Sequence, residues 1–237
     1  MTNLNKALTL ILLVFLAISC SKDNEANFTL KGHIKGLKKG VVYLQKNGDS
    51  TFIIDLDSMV INGQPEFTLK TEIEEPIVLY LKLYKNDGEE HFIPFFADKG
   101  VTEINTTLKN FNYDAQITGS ELQKKLDEYT RVQKRYNDQN LDIIKASFIA
   151  QRANDSITTD SLSKRSEKIL KLKYAHTINF ALNNKDSEIA PYLTLYDIPN
   201  ANPIYIDSVY NNLTDDVKSS FYGKKLGDVI ENRKSVE

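Results

Sequence analysis

The sequence has one cysteine, no tryptophan and three histidines in 237 residues, and each shortage removes a class of function. Thiol–disulfide exchange needs one thiolate to attack and a second thiol to resolve the mixed disulfide, so one cysteine cannot complete the cycle. Nor can the chain be stapled by a disulfide, and its stability must come from a buried core, which this length permits. His33, His91 and His176 are too widely spaced for a His-x-x-x-His metal pair. Each has a local explanation: a polar strand face, a strand start after Glu89-Glu90, and the border of an apolar helical stripe. Without tryptophan, and with most phenylalanines at inward strand positions, the aromatic residues read as core packing rather than a sugar-stacking platform. No Gly-x-Gly-x-x-Gly, P-loop or Gly-x-Ser-x-Gly is present, so nucleotide binding and the common serine hydrolase layout have no support. Thirty basic against 32 acidic side chains leave a net charge of −2 and no surplus for a phosphate backbone, which excludes nucleic acid as the expected partner. No metal, cofactor or catalytic residue is expected.

A run of about 20 apolar residues, the length that crosses a bilayer, is also missing. What is there is shorter. After the single cation Lys6, Ala7 to Ser19 forms a thirteen-residue apolar run, the format of a secretory signal. It ends in Leu16-Ala17-Ile18-Ser19-Cys20, which resembles the bacterial lipoprotein box, where a cysteine is acylated before cleavage. The resemblance implies a signal peptide over residues 1–19, lipid attachment at Cys20, and anchoring to the outer membrane facing the periplasm or the cell surface. Several acyl chains on one N-terminus hold a protein stably where one alone binds marginally. Removing residues 1–19 removes only Lys6 among the charged residues and leaves a formal −3. Ser21-Lys22-Asp23-Asn24-Glu25 then supplies a polar tether, 20–26. It looks like the acidic export tag of surface-displayed lipoproteins of the Bacteroidota and reads equally well as a solvated spacer.

The rest divides into a strand half, 27–118, and a helical half, 119–237, giving an α+β chain: an antiparallel β-sandwich or open barrel followed by helices. Phe28, Leu30 and Ile34 alternate with polar residues, with Gly32 at the remaining inward site. Further strands are expected at 41–46, 51–57, 66–70, 77–84, 92–97, 101–108 and 115–118, separated by turn signals such as Asn62-Gly63 and Asn86-Asp87-Gly88. Ile77, Leu79, Leu81 and Leu83 form the clearest inward face. Ser120 with Gln123 reads as a capping box opening a helix through Leu122, Leu126, Tyr129 and Tyr136 to Ile149. A break at Asn154 to Thr159 precedes a second long helix. Shorter helices follow at 188–196, 204–213, 215–222 and 226–232, with Gly223 as a C-cap.

The ordered set Phe28-Thr29-Leu30-Lys31-Gly32-His33-Ile34, Gly40-Val41-Val42-Tyr43-Leu44, Leu56-Asp57-Ser58, Phe67-Thr68-Leu69, Phe95-Phe96 with Lys99-Gly100, and Ile117-Thr118-Gly119-Ser120 resembles a known family. It is similar to the domain of unknown function N-terminal to thioredoxin-like domains in envelope thiol-disulfide oxidoreductase lipoproteins of the Bacteroidota. Such proteins go on to a Cys-x-x-Cys domain, and this sequence reaches Glu237 without a second cysteine.

Asp55 and Asp57 beside Ser58 are candidates for acid–base work or a Ca²⁺ edge, against the commoner role of solvating a strand end. Asp49-Ser50-Thr51, Asp57-Ser58-Met59, Asp155-Ser156-Ile157, Asp160-Ser161-Leu162 and Asp207-Ser208-Val209 resemble the O-glycosylation acceptor of the Bacteroidota envelope. Asp-Ser pairs equally suit turns and helix N-caps, and Ser156 and Ser161 are the acceptor candidates. The expected function is a non-enzymatic envelope lipoprotein, a tethered module that binds an envelope protein or other ligand. The alternatives are a docking accessory for a separate thioredoxin-like oxidoreductase and a surface glycan-uptake accessory.

Overall fold

A computed structural model describes residues 26–48 and 52–235. The signal segment, Cys20, the tether through Glu25 and the Asp49-Ser50-Thr51 triplet lie outside the described residues. The strand half forms β1 (Phe28–Lys35), β2 (Lys39–Asn47), β3 (Ile53–Asn62), β4 (Glu66–Thr71), β5 (Ile77–Tyr84), β6 (His91–Ala97), β7 (Gly100–Thr107) and β8 (Gln116–Thr118). They make two four-stranded sheets, ordered β4-β1-β7-β8 and β3-β2-β5-β6, so the strands stack as a sandwich and not as a closed barrel. The ladders are antiparallel except β1 with β7, which runs parallel. A parallel pair requires a crossover, and here the crossover is the intervening chain that builds the second sheet.

The period-two pattern is realised side chain by side chain. Phe28, Leu30 and Ile34 from one sheet meet Leu79, Leu81, Leu83 and Phe95 from the other in a core from which water is excluded. Gly32 is required by its neighbour: it pairs with Phe67, and a Cβ there would lie 2.4 Å from the Phe67 ring. The ring fills the inward space that Gly32 leaves open.

The edges are closed by specific groups. The β2–β3 register shifts between Leu44 and Gln45, opposite Asp57 and Asp55 of β3, and Asp57 reaches β4, the edge of the other sheet, where its Oδ2 accepts from the Lys70 N–H at 2.7 Å. On the edge strand β6, Pro94 has no N–H to leave unpaired, and the Phe96 N–H donates to Gln123 Oε1 at 2.8 Å.

That last bond corrects the capping-box expectation. Ser120 Oγ does accept from the Gln123 N–H (3.1 Å), but the Gln123 side chain serves the sheet edge and Asp127 instead of returning to the cap. The Phe96 N–H, on an edge strand, has no strand partner on that side, and the Gln123 carbonyl supplies one. The helix so opened, α1 (Glu121–Arg152), runs 32 residues. The break before α2 (Ser156–Asn183) is shorter than expected, because Asn154 turns the chain at φ 54° and Asp155 at once caps the new helix. Then come α3 (Ile189–Asp197), α4 (Pro203–Asn212), α5 (Asp215–Ser219) and α6 (Phe221–Lys234). Gly223 is not a C-cap. It lies in the first turn of α6, where a Cβ would stand 1.9 Å from the Val217 carbonyl oxygen, so glycine is needed for close packing of α5 on α6. No described helix is long and apolar enough to cross a membrane.

Candidate functional site

The helical half meets the sandwich on the outer face of β5 and β6. Val78 and Phe96, which point away from the sandwich core, are buried under Leu122 of α1, Ile189 and Leu193 of α3 and Tyr222 of α6. Tyr222 is the centre of this seam. Its ring stands edge-on to Phe96 (5.9 Å) and Tyr192 (5.2 Å), and its hydroxyl accepts from the Val78 N–H at 2.9 Å. Burial holds the Tyr222 phenol protonated well above its ordinary range. The Tyr192 phenol is pushed up to about 12, first by burial and then by the negative charges that Tyr80, Asp197 and Tyr196 carry when ionised.

Where the seam reaches solvent, Tyr196 and Phe221 stand partly exposed with Lys225 between them. The Lys225 ammonium lies 5.4 Å from the Tyr196 ring centre and 5.8 Å from that of Phe221, and donates to the Tyr196 hydroxyl at 2.9 Å.

Beside this aromatic mouth lies a cleft of about 560 Å³. Leu56, Ile77 and Leu79 give it an apolar floor continuous with the sandwich core, Lys46 and Glu74 stand on its rim, and Phe221 forms one wall. Glu75 fixes that wall. Its Oε2 accepts from the Phe221 N–H at 2.7 Å, a carboxylate placed at the N-terminus of α6 where the helix dipole favours it. The sheet end, the β4–β5 loop and the first turn of α6 are thus held in one frame around a space with an apolar base and charged lips, the general make-up of a binding site.

The residues singled out in the sequence do not gather here. His33 Nδ1 faces Glu66 across β1–β4 at 3.1 Å. His176 stacks on Tyr129 with ring centres 5.2 Å apart. Asp55 and Asp57 do not act as a pair: Gln45 Nε2 donates to Asp55 at 2.6 Å, while Asp57 takes the Ser58 and Lys70 N–H groups. Ser156 is the exposed first residue of α2, and Ser161 is exposed in the second turn of the same helix rather than in a loop.

Among the described residues, Asp87, Glu89 and His91 bring ligand-type atoms within 4.8 Å of one another on the β5–β6 hairpin. The Lys85 ammonium already sits 2.8 Å from Asp87 Oδ2, the oxygen that also faces His91 Nε2 at 3.3 Å. Hydrogen bonds from Lys85, the Glu89 N–H and His91 hold the Asp87 carboxyl well below the usual carboxylate range. The Asp87 carboxylate is thus already paired within the hairpin.

Sequence reasoning missed a buried polar junction. Tyr129 of α1 donates to Asp197 Oδ2 (2.5 Å) at the end of α3 and shares a hydrogen bond with Thr177 of α2 (2.7 Å), while Gln133 Nε2 donates to the Tyr129 hydroxyl at 2.6 Å. Burial, then the hydrogen bond to Asp197, raises the Tyr129 phenol far above its ordinary range. The periodicity marked Tyr129 as apolar stripe, and only the meeting of three helices supplies its partners.

The fold defines a two-sheet sandwich module carrying a helical half. Residues 28–126, both sheets and the opening of α1, match the family described as a domain of unknown function (DUF4369). No curated protein and no solved structure matches the chain.

Proposed function

We propose that this protein is a lipid-tethered envelope binding protein and not an enzyme. Acylated Cys20 anchors it to the outer membrane, and the cleft between the sandwich end and α6 receives a segment of a partner protein. The observation that carries this reading is the cleft itself, whose floor of Leu56, Ile77 and Leu79 merges with the core while Lys46 and Glu74 stand at the lip. Such a floor takes an apolar side chain and such a lip orients the polar chain around it.

A second reading draws on Tyr196 and Phe221, two partly exposed aromatic faces at the mouth: a glycan-handling accessory that stacks sugars there. Photo-crosslinking in the native host separates them. A benzophenone amino acid at Phe221, with the exposed Val229 as control, yields one discrete protein adduct if the cleft holds a partner segment. An adduct containing a thioredoxin-like protein supports the docking-accessory form of the proposal, and glycan adducts without protein support the second reading. Identical patterns at Phe221 and Val229 would refute the cleft as the site.

A further inference from the structure

α1 and α2 run on past the body they help to build. None of the three buried apolar clusters includes a residue between Tyr129 and Tyr174, so α1 projects from Tyr129 to Arg152, roughly 35 Å at 1.5 Å per residue, with only α2 beside it among the described residues. The seam between the two is thin: Ile143, Ala150 and Ile169 are buried, and Ser166 bonds Asn140 at 3.1 Å.

At the far end the apolar side chains turn outward. Phe148 is 59% exposed, Ile149 69% and Ile157, in the first turn of α2, 83%. Consecutive helical positions point about 100° apart, so Phe148 and Ile149 cannot share a stripe, and Ile157 comes from the other helix. A flat protein partner covers one face of such a hairpin. A lipid surface closes around its tip.

The charge selects the kind of surface. Between Arg131 and Lys173 the sequence holds ten basic and five acidic side chains, within a chain of net −2. Three of the five acids are engaged locally: Asp142 with Lys145 (3.6 Å), Asp160 with Lys164 (2.7 Å), and Asp155 with the N–H and hydroxyl of Thr158. Arg152, Arg165, Lys168 and Lys171 form no ion pair among the described residues. Arg152 lies over the Phe148 ring, 4.9 Å from its centre, pairing a phosphate-seeking cation with a lipid-seeking ring.

We propose that the tip of the α1–α2 hairpin docks on an anionic lipid surface, with Phe148, Ile149 and Ile157 at the boundary of headgroup and acyl chain, Arg152 beside Phe148 on a lipid phosphate, and the excess of cations further along the hairpin drawing it toward the negative surface. Phe148 lies about 8 Å along the helix from the turn at Ala153, which matches the depth of about 5–10 Å that interfacial helices reach. A glycan on Ser156 or Ser161 would hold this tip off the surface, so glycosylation there and lipid docking exclude each other.

The test uses the chain from residue 20 onward with Cys20→Ser, which carries the whole described structure and no lipid, so its outcome is independent of the anchoring reading. Sedimentation with vesicles of phosphatidylcholine, or of phosphatidylcholine containing one third phosphatidylglycerol, gives the bound fraction. Binding about tenfold stronger to the anionic vesicles, lost in high salt, is expected. The double change Phe148→Gln with Ile157→Gln, at exposed positions and with helicity checked by circular dichroism, weakens it about tenfold. Equal binding to both vesicles, or binding untouched by the double change, overturns the proposal. So does self-association abolished by Phe148→Gln without vesicle binding, which assigns the face to a second copy, and so does a glycan mass on Ser156 or Ser161 of protein from its native host.

Discussion

The Val78 N–H donates to the Tyr222 hydroxyl across 2.9 Å and 144 positions of chain. This bond joins the outer face of β5 to the first turn of α6 in a place without water. Tyr222→Phe keeps the ring and removes the acceptor, leaving a buried N–H unpaired at a cost of about 1–3 kcal/mol. Tyr222→Ala also opens a cavity and costs about 3–5 kcal/mol. Urea unfolding followed by circular dichroism measures both. A Tyr222→Phe variant as stable as the parent would show that the N–H finds another partner.

Three tyrosines set an alkaline limit. Tyr129, Tyr192 and Tyr222 are held above their ordinary value of 10.0, each chiefly by burial. The fold favours their protonated forms, so their contribution is fully present below pH 10.0 and is lost as pH rises, through about 12 for Tyr192 and higher for the other two. Stability therefore falls steadily above pH 10.0, and the phenolate absorbance of these three among the twelve tyrosines appears only with unfolding. Full tyrosine ionisation in a still-folded protein would contradict this.

Gly223 lies where a side chain does not fit. A Cβ would meet the Val217 carbonyl oxygen at 1.9 Å and two Lys218 backbone atoms at 2.8 Å, all backbone that cannot swing aside. Gly223→Ala should thus lose several kcal/mol, about 3 or more, although alanine has the higher helix propensity. Thermal unfolding decides the matter. A neutral or stabilising result would mean that α5 and α6 can move apart freely.

The contrast between the two halves of the chain shows what a sequence can reveal. Leu79, Leu81 and Leu83 alternate with polar residues, and a sheet with one wet face imposes that alternation, so the sandwich core was legible. Val78 and Phe96 were not, because a residue facing the helical half looks like an exception to the alternation until the covering helices are in place. Consecutive Phe95-Phe96, both fully buried, was the available signal of a strand covered on both faces. The cleft was illegible for a similar reason: Lys46, Leu56, Ile77 and Phe221 are scattered over 175 positions and share no spacing rule.

Asp57 ties the edge of one sheet to the edge of the other through the Lys70 N–H. Asp57→Ala removes that acceptor and frees two strand edges at once, at about 1–2 kcal/mol for a charge-assisted bond. The larger effect should be association, because unpaired edges template further strands. Light scattering on heating measures it, and Asp57→Asn, which keeps an acceptor oxygen, should recover much of the difference. Equal scattering by Asp57→Ala and the parent would remove the edge role.

The proposed address of the protein rests on Cys20, outside the described residues, and its test also checks how the molecule would meet a membrane. Changing Cys20→Ala removes the thiol that acylation requires, and should leave an unprocessed or soluble species in fractionated cells. The proposed docking of the hairpin tip bears on this test, since Arg152 over the exposed Phe148 ring would keep some unlipidated protein on anionic lipid. Salt separates the two modes. Binding by surface cations is screened over about 3 Å at 1 M salt, whereas multiple acyl chains hold through apolar burial that salt does not weaken. Membranes washed in high salt should therefore retain the parent and release Cys20→Ala. If the variant is cleaved at the same point and still resists the wash, Cys20 is not the anchor.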